Sequence, residues 1–397
     1  MKILQLCIRI PYPPNDGGTI AMYNASVALQ KANAQVTVLA FNTKKHYITT
    51  QEIDKKYEAA FNLQTVYLDA AVKPIAAFIN LFSNQSYNIQ RFNSVAFTDA
   101  LKKNLQQQSF DVIQLESLFV APYIATIRKY SKAKIVLRAH NMEYLIWERL
   151  ALQEKSVLKK WYLNLLSKRL KKFEQKVLTQ IDALVTLTPD DEKGFKILGC
   201  NKPTLVAPIG IDVASYKAID LNTRPIQFFH LGSMDWLPNE EAVRWLLKEV
   251  MPIVKLKTTV DVSLAGKGMP KWIFDLADQH LQVEGLVSDA KSYMSKRHVM
   301  LVPILSGSGM RVKILEGLAT GNVIISTTIG AEGIKYTHGK NILIADTPQQ
   351  FADGICMLLE NPLLMEQIST QAKQLAQQYY DNETIGKSLI SFFTQLK

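Results

Sequence analysis

Short runs rich in Val, Ile and Leu recur along this chain, separated by longer amphipathic stretches. The first half carries such runs at 2–6, 35–40, 112–115, 134–138 and 183–187. The second half carries them at 226–231, 260–265, 282–285, 298–302, 323–326 and 341–345. Near-continuous apolar strands alternating with helical stretches predict parallel sheets covered on both faces. Two such sets, in a chain of 397 residues, predict two doubly wound α/β domains, because a single core rarely grows beyond ~250–300 residues. The segment 203–216, with Pro208 and Gly210 after an apolar run, reads as the join. The expected division is 1–210, 211–380 and a final helix at 381–397, which is free to pack back on the N-terminal domain. In sheets of this kind ligands bind beyond the carboxyl ends of the strands, so the loops there are read for chemistry.

Composition narrows the class. Hydrophobic residues make up 48% and charged residues 20%, which excludes a disordered chain. No run reaches the ~20 apolar residues of a membrane span. Met1 to Ile10 is apolar, but it meets Pro11 without a small-residue cleavage site, so it reads as a first strand and not as a signal peptide. Cys7, Cys200 and Cys356 are isolated and without metal spacing, which fits a reducing cytoplasm and argues against a zinc site. Net charge is +11, and residues 1–190 hold 25 Lys+Arg against 14 Asp+Glu, with 21 of each in the rest. All the excess lies in the first half, which implies an anionic partner there: a membrane surface, a phosphorylated substrate or nucleic acid.

Three loops stand out. After the first strand come Pro13-Pro14-Asn15-Asp16-Gly17-Gly18-Thr19, where paired glycines allow close backbone approach and the next helix offers amides to an anion. After the run 134–138 comes His140-Asn141-Met142-Glu143-Tyr144, with a histidine able to hydrogen-bond through either nitrogen. After 298–302, the chain passes through Ser306-Gly307-Ser308-Gly309-Met310 into Arg311-Val312-Lys313. Amides at Ser308, Gly309 and Met310 would suit a phosphate. Two cations at a helix start, where they are electrostatically disfavoured, need a reason. Glu316 lies seven residues after Gly309 on the same helix face, about 10.5 Å further along; its carboxylate suits the vicinal hydroxyls of a ribose. Together these describe a nucleoside diphosphate. Gly232-Ser233-Met234-Asp235-Trp236 and Glu284-Gly285-Leu286 complete the set, each also readable as an ordinary turn.

With these loops in this order, the chain resembles family 4 of the nucleotide-sugar-dependent retaining glycosyltransferases, the glycosyl transferases group 1. The resemblance rests on Gly17-Gly18, His140–Tyr144, GSMDWLPNEEAV from Gly232, EGLVSD from Glu284, and GSGMRVKILEGLATG from Gly307 followed by STTIGAEGI. It implies the GT-B fold, two Rossmann-like domains facing a central cleft, with acceptor on the first and nucleotide sugar on the second. It further implies that Glu316 binds ribose, that Arg311 and Lys313 hold the diphosphate, and that His140 contacts the transferred sugar. Gly17 and Gly18 would face the phosphates together with Gly232, Ser233 and the Ser308–Met310 loop, and backbone near Gly285 and Leu286 would contact the base. Many members carry a second glutamate where this chain has Ser308, so the sugar's own contacts are not read across. The loop at Gly232 also lacks the Arg and Lys of other members, a role Arg311 and Lys313 can take.

The implied reaction is transfer with retained anomeric configuration from a nucleotide sugar, UDP being expected on family frequency, to a glycan or lipid-linked acceptor in cell-surface polysaccharide synthesis. Fixed cations stabilise a leaving diphosphate, so no metal and no other cofactor is expected. The alternatives are a GT-B nucleotide-sugar epimerase, a catalytically silent nucleotide-binding subunit, and, in a different class, a nucleic-acid-binding protein, for which no recognition motif speaks. Finally, 155–176 holds Lys155, Lys159, Lys160, Lys168, Arg169, Lys171, Lys172 and Lys176 against Glu174 alone. An apolar stripe runs Leu158, Tyr162, Leu166, Leu170, Phe173, Val177. Either the stripe packs on the first sheet and the lysines are solvated, or the basic face rests on the inner surface of the membrane.

Overall fold

The computed structural model describes residues 1–307 and 309–396. The chain forms two compact units, Met1–Gly210 with Ile385–Lys397, and Ile211–Thr384.

The first unit is built on a seven-stranded sheet of β1 (Lys2–Cys7), β2 (Gln35–Thr43), β3 (Gln64–Leu68), β4 (Val112–Leu115), β5 (Lys134–Ala139), β6 (Ala183–Thr186) and β7 (Thr204–Val206). Its order is β3-β2-β1-β4-β5-β6-β7, and every pairing is parallel. Register follows burial: Lys2 lies beside Gln35 and Leu6 beside Leu39. Alternate residues of β1 serve opposite faces, Leu4 and Leu6 packing in one core layer and Ile3 and Cys7 in the other. That is why the strand reads as a continuous apolar run.

The second unit repeats the plan with β8 (Gln227–Leu231), β9 (Asp261–Ala265), β10 (Leu281–Gly285), β11 (Val299–Val302), β12 (Val323–Ser326) and β13 (Leu343–Ile344), ordered β10-β9-β8-β11-β12-β13. Both orders reverse direction beside the first strand of the unit, the switch point at which such sheets bind ligands.

Two strands lie outside the apolar runs. β3 alternates exposed and half-buried residues, and β7 spans three half-buried residues. Both are sheet edges: β3 lacks an apolar run because alternate residues face outward, and β7 is too short to stand out from the apolar stretch before Pro208. The segment read as a simple join therefore contributes β7 to the first sheet. The last helix, Asn382–Gln395, returns Ile385, Leu389 and Phe393 to the core layer of Ile3 and Val38. Gly386 permits this approach, since a Cβ there would sit 2.0 Å from the Ala28 carbonyl oxygen.

The long basic helix spans Val157–Gln180. Its apolar stripe is only half used: Leu166, Leu170 and Val177 are buried, whereas Leu158 is exposed.

Candidate functional site

The second unit gathers its candidate residues at the carboxyl ends of β8, β10 and β11. The helix Val312–Thr320 follows β11 and sets Lys313 in its first turn. The Lys313 ammonium donates to the Leu231 carbonyl at the end of β8 and to Asn239 Oδ1, both at 3.0 Å. Asn239, itself buried, is held in turn by donating to the Ser233 carbonyl at 2.8 Å. This explains Gly232 locally: a Cβ there would lie 2.8 Å from the Asn239 amide. Burial, and then the neighbouring Arg311, bring the Lys313 ammonium down to about 7. Complete burial, and then the Lys313 charge, keep His230 neutral, at about 3.

Arg311 caps the helix start without a side-chain bond to it. It is buried, lies 5.1 Å from the Trp236 ring, and donates to the Gly309 carbonyl. Its guanidinium thus folds back on its own loop. The Gly309 amide is also engaged, donating to Glu332 Oε2 at 3.0 Å. This amide, expected to be open to a phosphate, is taken by a carboxylate from the loop after β12. Met310 is buried, Leu286 is exposed and Gly285 adopts φ 65°. Ser308 lies outside the described residues.

One turn beyond Lys313, Glu316 accepts from the Tyr216 hydroxyl at 3.0 Å. Burial raises its carboxyl above the usual range, against the opposing effects of Tyr216 and Lys291. Lys291 sits over the Tyr216 ring at 4.3 Å and donates to Ser215 Oγ at 2.6 Å. Tyr216 and Lys291 had no signal in the sequence: each occupies a turn or helix start of ordinary composition, about 100 and 25 residues from Glu316.

In the first unit, His140 stands just beyond β5 over a buried polar network. Its Nε2 lies 2.8 Å from Glu116 Oε2, and Glu116 is fully buried at the end of β4. Arg138 Nη1 donates to the same oxygen at 2.9 Å and to the Ala21 carbonyl at 3.3 Å, and it also lies 3.1 Å from His140 Nε2. An ionised Glu116 carboxylate can only accept, so the proton between ring and carboxylate sits on Nε2, and Nδ1 is the acceptor. Burial alone would raise the Glu116 carboxyl; Arg138 and His140 outweigh it and hold it at about 2. Burial holds the His140 ring below its ordinary value, so it is neutral near pH 7, although the bond to Glu116 opposes this. Gln5 and Gln114 also donate to Glu116. Glu116 was missed in the sequence because a lone acid at a strand end carries no pattern.

The Gly17-Gly18 turn differs from its expectation. Asp16 caps the helix Gly17–Lys31, accepting from the Gly18 and Thr19 amides at 3.0 and 3.1 Å. Asp16 is in turn clamped by Arg9, and a Cβ on Gly18 would lie 2.6 Å from that guanidinium. A carboxylate of the chain itself, with its arginine, occupies the anion position predicted there.

Comparison with known proteins shows what the chain is similar to. Residues 225–361 match the model of the glycosyl transferases group 1. An uncharacterized 44.6 kDa protein in the cps region of Klebsiella pneumoniae is 23% identical, over 98% of each chain. Among solved structures, sucrose-phosphate synthase from Thermosynechococcus elongatus aligns with a TM-score of 0.70 at 14% identity, over 100% of this chain and 99% of that one. The Anabaena HepE protein in complex with UDP aligns with a TM-score of 0.64 at 13% identity over the whole of both chains. The chain has the GT-B fold, and its residues 225–361 are similar to the glycosyl transferases group 1.

Proposed function

We propose that this protein is a retaining glycosyltransferase that moves a sugar from a UDP-sugar to a glycan or lipid-linked acceptor in polysaccharide synthesis. The observation that carries the reading is the helix Val312–Thr320. It presents a half-buried lysine, Lys313, and one turn on a carboxylate, Glu316, already hydrogen-bonded to a tyrosine. A diphosphate beside Lys313 and Arg311 and a ribose beside Glu316 match a nucleoside diphosphate in length and charge. The cps-region relative and the UDP complex of HepE support the same substrate classes.

On this reading the donor's phosphate displaces Glu332 from the Gly309 amide, and Arg311 swings from its own loop onto the leaving group. Charge developing on the diphosphate then meets two cations fixed before the reaction, so little reorganisation is needed and no metal is required. His140, neutral and protonated on Nε2, offers Nδ1 to a sugar hydroxyl as an acceptor. No protein carboxylate acts as nucleophile; a leaving phosphate oxygen takes the acceptor proton on the face from which it departs.

The test is a screen of nucleotide sugars by thermal stabilisation, followed by transfer with the best binder and NMR assignment of the product anomer. An inverted product would overturn the mechanism, and failure of every UDP-sugar to bind would overturn the donor.

A further inference from the structure

The first unit carries one helix that is inside out. Pro74–Asn80 exposes Ile75, Phe78 and Ile79, with Phe82 just beyond it, each 62–82% exposed, and buries its polar Asn80. Asn80 donates to Ser83 Oγ and Gln90 Oε1, and Arg169 donates to its carbonyl and side chain and to the Leu81 carbonyl at 2.9–3.0 Å. These polar anchors hold the helix with its apolar side facing out. Single exposed apolar residues are ordinary, but a helix side made of them marks an interaction surface.

Arg169 belongs to the long helix Val157–Gln180, and Leu158 lies three turns before it on the same side. Leu158 is 80% exposed and Trp161 58%. This end stands clear of the sheet. Glu174 accepts from the Glu143 and Tyr144 amides, just past the carboxyl end of β5. The 17 residues from Val157 to Glu174 extend about 25 Å along the helix from that anchor at ~1.5 Å per residue, with Val157, Leu158 and Trp161 exposed at the far end. The helix Glu143–Gln153 packs antiparallel along them. Between Lys155 and Lys172 there are six lysines and one arginine and no acid.

We propose that this exposed end docks on an anionic lipid bilayer, with Phe78, Ile79, Phe82, Leu158 and Trp161 at interfacial depth and the lysines against the headgroups. Apolar residues flanked by lysines, with a tryptophan between them, suit a headgroup boundary. A second copy fits poorly: a two-fold contact would set the lysine cluster against itself, and protein interfaces are depleted of lysine. Among the described residues no helix is long and apolar enough to cross a membrane, so the docking is on one leaflet. It would bring the carboxyl edge that carries His140 towards the lipid, where an acyl-anchored acceptor would reside.

The test is cosedimentation of the full chain with vesicles of phosphatidylcholine alone or mixed with phosphatidylglycerol, at low and high salt. No nucleotide sugar is needed, so the outcome is independent of the transferase reading. Binding is expected only to the anionic vesicles, weakened by salt, with a blue shift of tryptophan emission absent from Trp161→Phe. Phe78→Ser/Phe82→Ser should lower partitioning at least about tenfold, and Lys159→Glu/Lys160→Glu should do likewise on a surface where misfolding is not at issue. Equal binding to both lipids would overturn the proposal. So would unchanged binding of both double variants, or a dimer in light scattering that they dissolve.

Discussion

Lys313→Met should make the ligand-free protein more stable near neutral pH while weakening its hold on UDP. A lysine held at about 7 instead of 10.5 costs the folded state of order 5 kcal/mol at neutral pH, taking 1.36 kcal/mol per tenfold in protonation. Methionine removes that cost but leaves the Leu231 carbonyl and Asn239 Oδ1 without their donor, a loss of ~1–2 kcal/mol each. The difference is a gain of ~1–3 kcal/mol, a rise of several degrees in melting temperature for a unit of this size. The pH dependence has a definite sign. Between about 7 and 10.5 the unfolded lysine keeps its proton and the folded one has lost it, so wild-type stability rises with pH across that window. The variant lacks that rise, and its advantage shrinks with pH and reverses above 10.5, where only the lost hydrogen bonds count. UDP binding reports the other side. A diphosphate beside Lys313 raises its pKa, so binding at pH 8 takes up a proton and affinity falls as pH climbs above 7. Loss of a charged hydrogen bond, ~1.5–3 kcal/mol, predicts at least tenfold weaker binding in the variant. Calorimetric titration in buffers of different ionisation heat measures affinity and proton uptake together. A variant less stable than wild type at pH 7, with the same pH slope and unchanged UDP affinity, would refute the reasoning.

Arg311→Ala should weaken UDP binding at least about tenfold, and unchanged affinity would remove Arg311 from the diphosphate site. Glu316→Gln should reduce nucleotide affinity along with turnover; a glycosyl adduct trapped on Glu316 would contradict the ribose role. Glu116→Gln leaves the buried Arg138 without its carboxylate, so thermal unfolding should show a loss of ~3–5 kcal/mol, and kcat should fall more than KM rises as His140 loses its fixed tautomer. Glu174 is raised to about 8 by burial and by Glu143, itself raised to about 7. The folded state thus binds more protons than the unfolded one between the usual carboxylate range and these values, and stability falls as pH rises through that window. Glu174→Gln, which like the protonated acid keeps one carbonyl oxygen as an acceptor, should be stabilising at pH 8 and near neutral in effect at pH 5; equal effects at both would show that Glu174 is ionised throughout.

Two parallel sheets, and the loops that serve them, were legible because a strand buried on both faces must be apolar along its length. The same rule hid β3, an edge strand with one exposed side, while β7, three residues long, was absorbed into the join. The residues of the basic loop were legible too, since cations at a helix start contradict the helix dipole unless something anionic comes to them. What they touch was not. Lys313 reaches the end of β8, 82 residues earlier; Glu332 comes 23 residues onward to hold the Gly309 amide; Tyr216 crosses 100 residues to Glu316; and Glu116, 24 residues before His140, decides which ring nitrogen carries the proton. Periodicity records which side of an element is buried, because every residue on that side shares one environment. A hydrogen-bond partner is a single atom brought by another segment, and only the packed sheet, by setting strand ends side by side, decides which atom that is.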